Sequence, residues 1–71
     1  MDITTLFKAF KIAMEKEDEA IKFYSDLASK IEDEELKELF ADFADEEARH
    51  FERLSELYKA EREKITQSEL T

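Results

Sequence analysis

Seventy-one residues without a single glycine or proline leave a chain few ways to turn sharply, and that absence constrains its fold more than any other feature. Hairpins, sandwiches and α/β loops use those two residues at turn positions. Their lack, with 44% charged and 42% hydrophobic residues, predicts long helices joined by very few connections. Strand-like alternation of apolar and polar residues is also missing.

The apolar residues repeat with a helical period. Ile3, Phe7, Phe10, Met14, Ile21, Tyr24, Ala28 and Ile31 follow steps of four and three, and Leu6, Ala13, Ala20 and Leu27 widen the same stripe. Thr4 or Thr5 is the expected cap of this first helix. The pattern pauses at Lys30-Ile31-Glu32-Asp33-Glu34-Glu35, a polar connection in which Asp33 can cap a second helix and two glutamates sit at the positive end of its dipole. Leu36, Leu39, Phe40, Phe43, Leu54, Leu57 and Tyr58 form the second stripe, after which the signal thins to Ala60, Ile65 and Leu70. The expected bounds are about 5–29 for the first helix, about 30–33 for the turn and about 34–63 for the second helix, with a frayed tail over 66–71. The fold class is all-α, a single domain over residues 1–71, with the two helices antiparallel in a hairpin.

A chain this short buries only about 60% of its unfolded surface and usually needs a staple or a partner. With no cysteine, disulfides, zinc ribbons and thiol chemistry are excluded. That leaves oligomerisation, or a metal held by oxygen and nitrogen. Twenty acidic against eleven basic residues, a net charge of −9, argue against nucleic acid and anionic membranes and favour cations. No apolar run approaches the ~20 residues of a membrane span, and the first residues lack a signal peptide's basic and apolar regions, so a cytoplasmic location is expected.

Both stripes are interrupted at one place. The position between Met14 and Ile21 is Glu17, and the gap between Phe43 and Leu54 is filled by Glu47 and His50, the only histidine. Positions i and i+3 on a helix are neighbours, roughly 5–6 Å apart at Cβ, so Glu47 and His50 can face one object. With the turn centred near residue 32, Glu17 lies fifteen residues before it and Glu47 fifteen after, so the two share a height. Ionised carboxylates in an apolar seam cost several kcal/mol each, against a net stability of about 5–15 kcal/mol. A lone seam glutamate or core histidine is commonly just hydrogen-bonded or sets register, but three such groups at one level call for a bound cation.

One hairpin supplies only two carboxylates and one imidazole, and it leaves a phenylalanine-rich stripe facing water. Two hairpins paired as a homodimer, or a higher even oligomer, form a four-helix bundle with four carboxylates and two imidazoles. That is the donor set of a di-iron or di-manganese bundle site. Two iron ions per dimer are expected, with manganese or zinc as possible substitutes. Tyr24 also falls on the seam. Helical side chains lean toward the N-terminus, so its hydroxyl is a candidate to approach the metals, with an ordinary core tyrosine as the equal alternative. Glu46 reads as solvent-facing, and Glu15, Glu19, Asp42 and Asp45 carry no assigned role in so acidic a chain.

The segments EKEDEAIKFY (15–24) and ELKELFADFADEEARH (35–50) resemble the rubrerythrin branch of the ferritin-like superfamily, with the similarity running from about Leu6 to Tyr58. The resemblance implies that Glu17 is the terminal carboxylate of the first helix, Glu47 the bridging carboxylate and His50 the imidazole ligand, with Tyr24 close to the metal pair. The chain departs from that pattern in three ways. It carries one hairpin where the full domain has two, it has no cysteine-bearing rubredoxin module, and it has Ala20 where one half of rubrerythrin carries an additional glutamate. The expected function is therefore a non-haem di-iron oxidoreductase that oxidises Fe²⁺ with dioxygen or peroxide at a site between two chains. Peroxide reduction with an external electron donor is the alternative. A metal-independent helical dimerisation module is the rival from another class, and a compartment cargo or a piece of a larger protein is a third reading.

Overall fold

The structure is a computed structural model that describes the backbone of residues 1–70 and the side chains of residues 1–67. Helix α1 spans Ile3–Lys30 and helix α2 spans Glu34–Leu70, and there is no strand among the described residues. The all-α hairpin is a rod 58 Å long and 14–16 Å across.

Each helix starts on an aspartate. The Asp2 carboxylate accepts from the Thr5 N–H at 2.8 Å, and the Asp2 carbonyl accepts from the Leu6 N–H at 2.9 Å. Asp2 is thus the cap, and Thr4 and Thr5 lie within the first turn. An aspartate directly before the first apolar residue is a stronger cap than either threonine, and it satisfies an N–H that neither would reach from inside the helix. At the other end, Ile31 turns extended (φ −80°, ψ 131°) while its N–H still bonds the Leu27 carbonyl at 3.1 Å. Asp33 then caps α2, its carboxylate accepting from the Leu36 N–H at 2.9 Å, with Glu34 and Glu35 in the first turn. Lys37 reaches back across the connection and donates to the Ala28 carbonyl at 2.8 Å, satisfying one of the carbonyls left over at the end of α1. Asp33→Ala is expected to cost about 1 kcal/mol in thermal or urea unfolding. Unchanged stability would mean that the cap contributes nothing.

Helix α2 continues to Leu70, past the expected end near residue 63, because nothing in the chain breaks it once the apolar signal thins. The fraying expected over 66–71 falls partly outside the described residues.

Ala28 and Ala44 are the buried core residues among those described, and most of the rest of the seam is half-buried. Two aromatic clusters fill it. Toward the open end, Phe7 and Phe10 set their edges against Tyr58 at 5.4 and 5.9 Å. Toward the turn, Tyr24 stacks on Phe40 at 6.1 Å and meets Phe43 edge-on at 5.4 Å. Ile12, Phe23, Leu36, Leu39 and Leu57 stay exposed, and Phe23 is 62% open to solvent. A groove lined by Leu6, Ala9, Phe10, Ala13 and Leu54 runs along the N-terminal half of α1. No helix among the described residues is long and apolar enough to cross a membrane.

Candidate metal centre

Between the two aromatic clusters, α1 contributes Glu17 and α2 contributes Glu47 and His50. The connection occupies residues 31–33, so its centre lies fifteen residues from each glutamate and an antiparallel hairpin brings them to one level. His50 follows Glu47 by one helical turn and points the same way. One ligating atom from each of the three side chains lies within 4.8 Å of the other two. His50 Nδ1 is 3.5 Å from Glu17 Oε2 and 3.6 Å from Glu47 Oε2. These separations exceed good hydrogen-bond length and suit atoms ranged around a common cation better than atoms bonded to one another.

The electrostatics agree. The Glu17 and Glu47 side chains are each only about a quarter exposed, whereas the His50 ring is 60% exposed, at the margin of the hairpin. Glu17 Oε2 is buried and has no hydrogen-bond partner. Glu17 is held above its ordinary value, first because its neutral form can donate a hydrogen bond to the adjacent Glu47 carboxylate, then by burial and by the Glu47 charge, with His50 partly opposing. A buried carboxylate oxygen without a donor, a second carboxylate beside it and a borderline nitrogen at the rim fit a hard or borderline divalent cation such as iron or manganese. Among the described residues this is the single cluster of three or more potential ligands.

Tyr24 stands two turns from Glu17, about 10 Å along the axis, with its ring fixed among Phe23, Phe40 and Phe43. Among the described residues its hydroxyl makes no hydrogen bond to Glu17, Glu47 or His50. Phe23 has no place in the seam pattern, since six residues from Glu17 put it about 120° around the helix, and its exposure emerges only from the structure.

The raised Glu17 value has a consequence for stability. A carboxyl whose folded value is raised binds its proton more tightly in the folded state, so its contribution is fully present below the unfolded value and is lost as pH rises through the folded one. Acidification of the metal-free protein from neutrality therefore relieves strain at this position, and Glu17→Gln is expected to remove that gain. Urea unfolding of metal-free wild type and variant at neutral pH and at about pH 5 compares them. Identical pH dependence in the two proteins would contradict the assignment.

A two-helix hairpin with a carboxylate on one helix, a Glu-x-x-His pair on the other and all three at one level has the layout of half a carboxylate-ligated metal bundle. The chain belongs to the rubrerythrin family, whose model matches residues 3–70. Membership points to a di-iron carboxylate protein, and iron is the metal this family typically binds. No curated protein and no solved structure matches the chain.

Proposed function

We propose that two copies of this chain assemble a di-iron carboxylate centre that oxidises Fe²⁺ with dioxygen or peroxide. The observation that carries the reading is the convergence of Glu17, Glu47 and His50 within 4.8 Å, with a Glu17 oxygen buried and unpartnered. One hairpin provides three donors. Two provide four carboxylates and two imidazoles, whose four negative charges balance two divalent ions. Bound iron supplies the electrons, each ferrous ion giving up one to the oxidant.

The chain's own residues set the conditions. Glu47 and His50, one turn apart on a rigid helix, hold a fixed pair of donors for each ion, and Glu17 closes the set from the facing helix. Burial of Glu17 and Glu47 makes the metal-free state costly, which favours uptake of cations over an empty cluster. The raised Glu17 carboxyl lets protons compete with a cation for this position, so uptake weakens as pH falls. Tyr24 is assigned a place beside the centre from the turn side, and the aromatic clusters above and below limit access of water.

Ferrous oxidation is favoured over peroxide reduction because Ala20 stands where the peroxide-reducing pattern carries an additional carboxylate. Mixing Fe²⁺-loaded protein with each oxidant, under anaerobic handling before mixing, tests this. The expected result is ferrous oxidation faster than in protein-free buffer by at least about tenfold, lost in Glu47→Leu. Rates equal to buffer would overturn it, and sustained peroxide turnover only with an added reductant would favour the peroxidase reading.

A further inference from the structure

Oxidation at a shared ferrous centre, the reading on which this inference rests, requires a route by which the oxidant arrives. We infer that the route is the groove between Met14 and Phe51, and that the oxidant it admits is dioxygen.

The groove holds about 480 Å³. On α1 it is walled by Lys11, Met14, Glu15 and Asp18, which at offsets of three, four and seven share one face of the helix, and on α2 by Phe51 and Tyr58, seven residues apart. Its inner end reaches the metal level. Met14 is one turn before Glu17 and Asp18 directly follows it, while Phe51 is one turn beyond Glu47. Tyr58 closes the other end, about 16 Å further along α2 than Glu47.

This groove opens on the side of the hairpin away from His50. Leu39, His50 and Leu57 follow one another at intervals of eleven and seven residues, so they form one exposed stripe on α2, and Phe51 stands about 100° round the helix from His50. Ala13, equally far round α1 from Met14, lines a different groove with Leu54. The second copy that completes the centre covers the stripe that carries the imidazole. The Met14 side is left facing solvent.

The walls select what enters. Met14, Phe51 and Tyr58 are half-buried and present a thioether and two rings. Asp18 is paired with Lys22 at 2.9 Å and Lys11 offsets Glu15, so the charges along this groove balance in a chain whose net charge is −9. An apolar gas enters such a space without losing hydrogen bonds, whereas peroxide leaves water partners that a thioether and ring faces do not replace. Glu17 Oε2 is closed to solvent, so an oxidant from this side passes Met14 and Phe51 before it meets the carboxylates. Dioxygen then takes one electron from each of two ferrous ions and two protons from solvent, and leaves as hydrogen peroxide.

The two methionines supply an internal comparison, because Met14 lines the groove and Met1, 89% exposed, reports bulk solvent. In Zn²⁺-loaded protein carrying ¹³C-methyl methionine, raised dioxygen pressure is expected to broaden the Met14 methyl signal at least about twofold more than that of Met1, although Met14 is the less exposed. An effect at Met14 no larger than at Met1 would overturn the route. Met14→Trp, for which the groove has room, is expected to slow ferrous oxidation by dioxygen at least about fivefold with ferrous uptake unchanged. An unchanged rate in that variant would also overturn the route, and wild-type iron oxidised faster by peroxide than by dioxygen at equal concentration would overturn the choice of oxidant. Protein that takes up no Fe²⁺ removes the reading beneath the inference, and protein that oxidises Fe²⁺ but fails the methionine comparison removes the inference alone.

Discussion

Glu47→Leu is expected to abolish iron uptake while leaving the metal-free protein as stable as wild type or more so. The two halves of that result come from one cause. Glu47 lies in a seam otherwise made of Phe40, Phe43, Leu54 and Tyr58, about three-quarters buried, beside a second carboxylate whose oxygen has no donor. Leucine removes a largely buried charge from beside the Glu17 carboxylate and extends the apolar stripe. Replacing buried ionic groups by packed hydrophobic ones gains about 1–4 kcal/mol in favourable cases, and the partial exposure here puts the expected gain at the low end, about 1 kcal/mol. His50→Leu should likewise lose iron, with a smaller change in stability because the ring is more exposed. Isothermal titration with Fe²⁺ and urea unfolding read the two halves separately. Iron uptake retained in Glu47→Leu would remove this residue from the centre, and a loss of stability beyond about 2 kcal/mol would mean that Glu47 is a structural group already satisfied by the fold.

The second large effect is a linkage between metal and assembly. A cation that binds only where two hairpins meet stabilises the dimer by RT ln(1 + [M]/Kd), about 2.7 kcal/mol per site at a hundredfold excess over Kd. Two sites per dimer then shift the monomer–dimer equilibrium by several orders of magnitude. Wild-type protein is therefore expected to sediment as a tight dimer with Fe²⁺ or Zn²⁺ under anaerobic conditions and to dissociate readily after chelation. Glu47→Leu should dimerise without regard to metal. The rival reading, in which Glu17, Glu47 and His50 serve only to set the register of an interaction module, predicts the same association constant with and without metal in the wild type. The two readings thus disagree on one curve.

Much of this architecture was legible in residue order alone. The absence of glycine and proline and the four–three spacing from Ile3 to Ile31 demand helix, and a polar run around Asp33 demands a connection; the structure has α1, α2 and a break at residues 31–33. The level match of Glu17 with Glu47 follows from counting, because antiparallel helices of equal rise pair residues at equal distances from the turn. What was not legible has physical reasons. The first cap is Asp2, one residue outside the apolar pattern, so periodicity alone pointed too far into the helix. The end of α2 could not be read from fading hydrophobicity, since a charged helix without a breaker can persist. The lysine lock from Lys37 to the Ala28 carbonyl depends on three-dimensional closure of the turn and has no local signature. Phe23 lies off the seam, so its exposure has meaning only once the hairpin shows what it leaves uncovered.

The stoichiometry of ferrous binding reaches the centre of the account directly. Metal-free protein titrated anaerobically with Fe²⁺, with bound metal quantified and mass followed by sedimentation, is expected to saturate at two irons for every two chains and to become dimeric as it does so. Saturation by a species that stays monomeric, or protein that takes up no iron at all, would contradict it.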